Sequence, residues 1–345
     1  MIEIENLSKK FGNLTAVDGL TLTIAEGEVF GLLGPNGAGK TTTIRMLAGL
    51  ISKTSGAASV AGCRVGDPDT ARKLRSLVGL MPEEAGLYLD LSAARTLDFY
   101  GRLYQVPAAA RAERTERLLT MLGLWDRRDA RVRTFSKGMK QRLTIARALI
   151  HDPAVLFLDE PTANLDPEGA KTVRDFLLQL KREQRTILLN THQLAEAERM
   201  CDRVGIMHTR LVAVGTPDGL RGSAGGPASR HATTVQLAVV TDAIVAAARA
   251  AASTARAATT PSTTAAAADV TVDGNTITVG VDKPERDNPR LVRAIIDAGG
   301  DVQFVSGVVP TLEETYLKLL ATEKDTAKDT AKDTGQPSRD EKNAR

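Results

Sequence analysis

The stretch GLLGPNGAGKTTTIRMLAG, residues 31–49, places three glycines within six positions and follows them directly with Lys40 and Thr41. Glycine weakens regular backbone structure, so such a cluster indicates a loop with a special conformation. The segment GPNGAGKT, 34–41, fits the pattern G-x-x-x-x-G-K-[ST] at every fixed position. An apolar run precedes it and a helical pattern follows it, which is the strand–loop–helix context of a phosphate-binding loop.

The loop predicts a site for a nucleoside triphosphate. Its backbone N–H groups must point inward around phosphate oxygens, and glycines leave that approach clear of side chains. The helix that starts near Lys40 directs its positive end at the phosphates. Lys40 is expected to reach the β- and γ-phosphate oxygens, and the Thr41 hydroxyl to bind Mg²⁺. The predicted nucleotide-binding residues of the loop are Gly34, Pro35, Asn36, Gly37, Ala38, Gly39, Lys40, Thr41 and Thr42.

A second motif places two carboxylates at the end of an apolar run, in LFLDEPT at 156–162. Asp159 is placed to hold Mg²⁺, directly or through water. Glu160 is placed to orient and polarise the attacking water as a general base. An exposed acidic pair without function is the alternative, but carboxylates near a triphosphate are costly unless a metal compensates their charge.

The first 222 residues alternate strand-like and helix-like segments. Continuous apolar runs predict parallel strands that are buried on both faces. These runs cover 28–34, 77–81, 154–159 and 186–192, and helical patterns cover about 40–50, 93–105, 108–122, 137–150 and 168–182. The alternation predicts an α/β domain with a mostly parallel sheet.

The rest of the chain has a different organisation. Residues 223–232 are rich in Gly, Ser and Pro and are predicted to be a linker. A small α+β domain of ferredoxin-like order is predicted over 233–322, with Asp273-Gly274 turning its hairpin and a helix over 288–298. Within it, 253–268 is of low complexity and is expected to be a loop. The polar repeats of the tail, 323–345, predict disorder.

Composition limits the class of protein. Hydrophobic residues make up 42% and charged residues 25%, which is ordinary for a soluble chain. The net charge of +3 is too small to indicate a nucleic-acid partner. The two cysteines show no spacing pattern of a disulfide framework or a zinc site. With no apolar run of about 18 residues, a cytoplasmic protein that docks on other chains' membrane helices is expected.

Taken together, the motifs resemble those of the nucleotide-binding subunits of ATP-binding cassette (ABC) transporters, over about residues 2–220. Phe11 lies where that family stacks an aromatic ring on adenine. FSKGMKQRL, 135–143, resembles the signature stretch that binds the γ-phosphate held by the opposite subunit. TANLD, 162–166, resembles the dimer-contact loop, and His192 the histidine that contacts the γ-phosphate and the attacking water.

The signature stretch also has a physical interpretation. Ser136 is a good N-cap, and with the N–H of Gly138 it makes an anion site at the start of a helix. The chain's own phosphate loop is already served by the Lys40 helix. A second anion site therefore suggests a second nucleotide held with another copy, which predicts a head-to-tail homodimer around two ATP molecules.

Two departures from the family pattern point to a subgroup. Lys137 and Met139 stand where the signature has other residues, and Glu83 in LMPEEAGLY replaces the usual glutamine. Glu83 could still ligate Mg²⁺ or its water. Both variants resemble ABC-2 type exporters, including daunorubicin-resistance-like ATPases. GVVPTLEETYLKLL, 307–320, resembles the closing segment of the small C-terminal domain in that subgroup, which is expected to help dimerisation or regulation.

The resemblance implies a P-loop ABC cassette with a mostly parallel sheet, an antiparallel β part and a helical subdomain at about 84–150. It also implies an ATPase subunit, using ATP and Mg²⁺, that energises an exporter by docking on integral membrane permease subunits of a separate chain. It is expected on the cytoplasmic face of the cell membrane. A soluble, regulatory ABC ATPase without a transport role is the alternative. Ribosome-acting relatives have two cassettes and DNA-repair relatives a long coiled coil, neither of which is present, and no guanine-binding N-K-x-D pattern follows the loop.

Overall fold

The computed structural model describes residues 1–83, 86–163, 165–223, 231–257, 270–281, 283–308, 311–317 and 319. The chain divides into two compact units, Met1–Pro217 and Asp218–Arg345. The predicted tail at 323–345 lies outside the described residues, as do most of the predicted linker and most of the low-complexity loop. The domain boundaries drawn from the sequence therefore stay predictions.

The first unit contains two sheets and seven helices within its described residues. Its strands, numbered in chain order, are β1 Ile2–Phe11, β2 Leu14–Ile24, β3 Val29–Leu33, β4 Ser55–Val60, β5 Cys63–Arg64, β6 Val78–Met81, β7 Val155–Asp159, β8 Thr186–Thr191, β9 Arg203–His208 and β10 Arg210–Gly215. Its helices are α1 Lys40–Leu47, α2 Ala71–Leu77, α3 Ala93–Leu103, α4 Ala108–Met121, α5 Lys137–Leu149, α6 Pro167–Arg182 and α7 Leu194–Met200.

The central sheet has six strands in the order β10-β9-β3-β8-β7-β6. All neighbours in it are parallel except β10, which pairs antiparallel with β9. Every residue of β3, β7 and β8 is buried, as the continuous apolar runs predict for strands covered on both faces. The carboxyl ends of β3, β7 and β8 therefore meet at one edge, where the loops after them can share a site.

A second sheet is antiparallel, in the order β2-β1-β4-β5. Helix α1 contacts β2 and β4 of this sheet and β7 of the central sheet. Its buried face, with Ile44, Met46 and Leu47, belongs to one apolar core with Phe30 and Phe157 of the central strands. Helices α3, α4 and α5 pack against one another in the segment for which a helical subdomain is predicted.

The second unit has strands β11 His231–Leu237, β12 Val270–Asp273, β13 Thr276–Val281 and β14 Val302–Val308, and helices α8 Pro217–Ser223, α9 Asp242–Ala257 and α10 Pro284–Asp297. From β11 onward the order is β-α-β-β-α-β, and the antiparallel sheet has the order β12-β13-β11-β14. This is the split βαβ arrangement. Side chains of β11, β13, α9 and α10 form its own apolar core.

Candidate nucleotide site

The glycine-rich loop between β3 and α1 owes its glycines to close packing as well as to access. A Cβ on Gly34 would lie 2.2 Å from the carbonyl oxygen of Met207. Gly39 has φ 96°, and a Cβ there would lie 2.2 Å from the carbonyl oxygen of Ala16. Only Gly37, with φ 80°, faces open space. Two of the three glycines are therefore required by neighbouring backbone, and the third by its own φ angle.

The loop is tied to both sheets by backbone hydrogen bonds. The N–H of Thr209, in the β9–β10 turn, donates to the carbonyl oxygen of Ala38 at 2.9 Å. The N–H of Asp18, in β2, donates to the carbonyl oxygen of Thr209 at 2.8 Å. Helix α1 then starts from Gly39 without a side-chain cap and without an acidic residue in its first turn. Its first N–H groups can therefore bind an anion.

Lys40 is almost completely buried, with 5% of its surface exposed. Its Nζ donates to the carbonyl oxygens of Gly34 at 2.7 Å and Pro35 at 2.9 Å, so the ammonium is held across the loop. Burial lowers the pKa of Lys40, while the charges of Glu160, Asp159 and Glu83 raise it. The cation therefore lies among the carboxylates that the sequence assigns to the metal and to the base.

Asp159 ends β7 and faces the start of α1. Its carboxylate accepts hydrogen bonds from the Asn190 amide and the Thr41 hydroxyl, and the same Asn190 Nδ2 lies 3.5 Å from Thr41 Oγ1. Burial raises the pKa of Asp159, and the charge of Glu83 adds to the increase while these hydrogen bonds oppose it. Thr41 and Asp159, two of the three residues predicted to hold Mg²⁺, thus share the Asn190 amide, and the third, Glu83, acts on Asp159 through its charge.

These donors fit Mg²⁺, the metal that the sequence predicts to bind with the nucleotide. Within the described part of the chain no group of three or more His, Cys, Asp or Glu side chains forms a metal cage. Mg²⁺ bound with a nucleotide needs only one or two carboxylates, because phosphates and water supply the other ligands. Asn190 Oδ1 is buried without a hydrogen-bond partner, so one more acceptor is available at this point.

Glu160 follows Asp159 and is held in an unusual conformation. Its φ is 53°, in the left-handed region that non-glycine residues rarely adopt. Its N–H donates to the carbonyl oxygen of Asn190 at 2.9 Å, and its own carbonyl oxygen accepts from Gln141 Nε2 at 2.8 Å. These contacts offset a local strain of about 1–3 kcal/mol.

The Glu160 carboxylate pairs with His192. His192 Nδ1 lies 2.8 Å from Glu160 Oε1, and more than half of the His192 side chain is exposed. Glu160 Oε2 is buried without a hydrogen-bond partner. Burial raises the pKa of Glu160, and the hydrogen bond and charge of His192 and the charge of Lys40 oppose the increase. One oxygen is thus fixed by the histidine while the other is free to accept a proton.

Phe11, Ser136 and Gly138 lie outside this set of contacts. Phe11 ends β1 with 49% of its surface exposed, and Lys9 Nζ lies 4.8 Å from the centre of its ring. Ser136 Oγ caps α5 by accepting from the N–H of Met139 at 3.2 Å. Gly138 packs against Leu165, since a Cβ there would lie 3.2 Å from Leu165 Cδ2. None of the three is joined to Lys40 by a described hydrogen bond.

The sequence interpretation missed Asn190 and Gln141. Asn190 pairs in register with Asp159 across the central sheet, which places its amide beside the predicted metal ligand. The signal was present, because Asn190 is an amide in TILLNT, a run that is predicted to be a strand buried on both faces. Gln141 lies on the buried side of α5 with 8% of its surface exposed, and no sequence pattern pointed to its bond with Glu160.

Known proteins are similar to this chain in sequence and in fold. Residues 17–163 match the family described as ABC transporter. The chain is 38% identical over 240 residues to the linearmycin resistance ATP-binding protein LnrL of Bacillus subtilis (strain 168), covering 69% of this chain and 75% of that one. It is 33% identical over 323 residues to the Nod factor export ATP-binding protein I of Rhizobium meliloti (strain 1021), covering 93% and 88%.

Solved structures agree with the sequence relatives. One, titled as the ATP binding subunit of an ABC transporter, is 34% identical with a TM-score of 0.60, covering 64% of this chain and 92% of that one. A second, cbiO1 from Clostridium perfringens, described as part of the ABC transporter complex cbiONQ, is 28% identical with a TM-score of 0.59, covering 64% and 90%.

The fold and the site define a P-loop ATPase, and the predicted α/β cassette with a small α+β domain after it is confirmed. The chain belongs to the ABC transporter family as an ATP-binding, ATP-hydrolysing subunit. Among the helices that the structure describes, none has the length and apolar composition needed to cross a membrane.

Proposed function

We propose that this chain hydrolyses MgATP as one half of a head-to-tail homodimer and energises an ABC-2 type exporter whose membrane subunits are separate polypeptides. The observation that carries the catalytic part is the Glu160–His192 pair, with its 2.8 Å contact at the sheet edge that also holds Lys40. A base, a histidine and a buried cation beside one phosphate loop support cleavage of the γ-phosphate rather than binding alone.

The loop and its lysine bind and orient the triphosphate. Backbone N–H groups at the start of α1 receive the phosphate oxygens, and Lys40 exchanges its two carbonyl partners for β- and γ-phosphate oxygens. Thr41, Asp159 and Glu83 would hold Mg²⁺, which would neutralise negative charge on the phosphates. Asn190 keeps the Thr41 and Asp159 oxygens directed at the same point.

Glu160 acts as the general base of the reaction. Its buried carboxylate has a raised pKa, so it binds a proton more readily than a solvated glutamate does. Oε1 is fixed by His192, and the unpartnered Oε2 is the atom that takes the proton of the attacking water. His192 in turn contacts the γ-phosphate, which its exposed side chain permits.

Dimerisation completes the site. Ser136 and Gly138 at the start of α5 bind the γ-phosphate of the nucleotide on a second copy, and Phe11 stacks on adenine. The first turn of α5, which carries Lys137 and no acidic residue, and the exposed ring of Phe11 support these roles. The small C-terminal domain helps to dimerise or regulate the cassettes.

The export function rests on the relatives. One of them is named for linearmycin resistance and another for Nod factor export, and both are described as ATP-binding proteins. We place this chain in the same position, at the cytoplasmic face of the cell membrane and without a nucleic-acid partner. A soluble ABC ATPase with a regulatory role is not favoured, because the relative that matches over most of this chain is named for export.

The catalytic assignment is tested with Glu160→Gln, which keeps the shape of the base and removes its proton affinity. Glu116→Gln, on the exposed side of α4, is the matched control. We expect Glu160→Gln to lose turnover, retain ATP binding and accumulate an ATP-bound dimer in size-exclusion chromatography, while the control behaves as the parent. Hydrolysis by Glu160→Gln at the parent rate would show that another group is the base.

The transport assignment is tested by affinity purification of the tagged full-length chain from detergent-solubilised membranes, followed by mass spectrometry. A near-stoichiometric polytopic membrane protein is expected. Recovery from the soluble fraction alone, with ribosomal or nucleic-acid partners, would contradict the export function and leave the ATPase chemistry unaffected.

A further inference from the structure

A buried carboxylate on α7 has no part in the chemistry described above. Glu196 has 6% of its surface exposed. Its Oε2 accepts a hydrogen bond from the Thr162 hydroxyl, and its Oε1 accepts one from Arg174 at 3.1 Å. Thr162 is itself 3% exposed. A buried charge is retained when it is paired and hydrogen-bonded, and Glu196 satisfies both conditions through two different elements.

Thr162, Glu196 and Arg174 connect the segments that carry Glu160 and His192. Thr162 lies two residues after Glu160, and Glu196 lies four residues after His192. The segments that leave β7 and β8 are therefore joined twice, by the Glu160–His192 contact and by the Thr162–Glu196 hydrogen bond. Arg174 lies in α6, so its ion pair with Glu196 adds this helix to the same network.

We propose that Glu196 is a positioning residue that, through Thr162 and Arg174, fixes the geometry of the Glu160–His192 pair. The proposal rests on the proposed role of Glu160 as base.

The need for such an anchor follows from the backbone of Glu160. A glutamate at φ 53° keeps that conformation only when its surroundings determine it from several sides. Asn190 and Gln141 hold the peptide groups of Glu160. The Thr162–Glu196 hydrogen bond holds the chain two residues after Glu160. Without this bond the loop loses a charge-assisted contact, and the base loses its fixed distance from His192.

The test is steady-state ATP hydrolysis by Thr162→Val and Thr162→Ser. Valine has the shape of threonine and removes only the donor, whereas serine retains it. Thr96→Val is the matched control, because Thr96 is fully buried and its hydroxyl donates to the carbonyl oxygen of Ser92 within α3. We expect Thr162→Val to lower kcat about tenfold, as expected for one charge-assisted hydrogen bond, with KM for ATP unchanged.

Thr162→Ser should restore kcat to near the parent value, and Thr96→Val should leave it unchanged. A parent-like kcat for Thr162→Val would overturn the proposal. The proposal would also be overturned if Thr162→Val lowered thermal stability and ATP affinity together with kcat. A contact that serves only the stability of the fold would have that effect.

Glu196→Gln supplies the second measurement, since it keeps the size of the side chain and removes its charge. In a double-mutant cycle with Thr162→Val, the two losses of kcat should be less than additive, because both variants break one bond. Strict additivity would contradict the proposal. Glu160→Gln, measured beside them, separates the two hypotheses: an active Glu160→Gln overturns the base assignment, whereas an inactive Glu160→Gln with a parent-like Thr162→Val overturns the positioning role alone.

Discussion

Helices α1 and α6 both begin at the carboxyl edge of the central sheet, but their first turns are built in opposite ways. Helix α6 is capped by its own chain, with Asp166 accepting from the N–H of Gly169 at 3.0 Å, Pro167 at the first position and Glu168 in the first turn. Helix α1 starts from Gly39 with neither a side-chain cap nor an acidic residue.

The start of α6 is capped by residues of the chain itself, whereas the N–H groups at the start of α1 are available to a ligand. In α6 the Asp166 carboxylate accepts from one of the free N–H groups and Pro167 removes another. The corresponding groups of α1 are left to an anion, with Lys40 beside them. Stability and binding should therefore respond in opposite ways to substitutions at the two helix starts.

The largest effect is expected from Lys40→Ala. The variant removes the cation at the start of α1, and ATP hydrolysis should fall by about 100-fold or more, as for loss of a preorganised electrostatic group. ATP affinity, measured by isothermal titration, should fall as well. Lys171→Ala, in the first two turns of α6, is the control and should keep parent affinity. Equal losses of ATP affinity in Lys40→Ala and Lys171→Ala would contradict the proposal that only the start of α1 binds the nucleotide.

The two loop glycines with positive φ should differ in the cost of a methyl group. Gly39→Ala forces a Cβ toward the carbonyl oxygen of Ala16 and should lower the free energy of unfolding by about 3 kcal/mol. Gly37→Ala faces open space and should lower it by about 1 kcal/mol through φ alone. Urea denaturation without nucleotide measures both. A larger loss in Gly37→Ala would contradict the packing seen around the loop.

Asn190→Ala removes the amide that joins Thr41 and Asp159 and should weaken the metal part of the site only. We expect about a tenfold loss in affinity for Mn²⁺ in the presence of ADP, measured by electron paramagnetic resonance. Binding of ADP without metal should not change. Asn275→Ala, an exposed asparagine of the second unit, is the control. Unaltered Mn²⁺ affinity in Asn190→Ala would exclude Asn190 from the metal site.

The pH dependence of kcat/KM should report Glu160. Burial raises the pKa of Glu160, and the base acts only when ionised, so activity is lost as the pH falls through that raised value. The His192 hydrogen bond and charge lower the same pKa. His192→Ala should therefore move the acid limb of its residual activity to higher pH. A shift to lower pH would show that another group controls this limb.

The smallest effect belongs to the self-capped helix. Asp166→Ala removes the cap of α6 and should lower the free energy of unfolding by about 1 kcal/mol. ATP affinity of the isolated subunit should be unchanged, since α6 offers no N–H group to the nucleotide. If Asp166→Ala lowered ATP affinity and left the free energy of unfolding unchanged, the start of α6 would serve binding rather than stability, which would contradict the comparison.

The parallel sheet was predictable because its strands are continuous apolar runs. The sequence prediction for 186–192 agrees with β8 within a residue at each end. An antiparallel β part was expected, but no residue ranges were predicted for its strands. Apolar and polar residues alternate less regularly in β1 and β2, and the pairing of these two strands shifts register at several points. Helix α10 was predicted over 288–298 but begins at Pro284, because proline suits a first helical position and Asp287 accepts from the N–H of Lys283.

At the site, the sequence identified residues that form motifs and missed those that hold them. Lys40, Asp159 and Glu160 lie in short local patterns with a chemical reason for each position. Asn190 and Glu196 act across β8 and α7 on residues about 30 positions away. Their partners are set by sheet order and helix packing, which no local spacing encodes. The left-handed backbone of Glu160 was equally invisible, because its residue type does not favour that region.

The hydrogen bonds from Thr209 to Ala38 and from Asp18 to Thr209 have a consequence for how fast a nucleotide is captured. They brace the loop from both sheets before any ligand arrives, so little chain entropy remains to be lost on binding. Association should then be limited by diffusional encounter and orientation, and differences in affinity among nucleotides should lie mostly in their residence times.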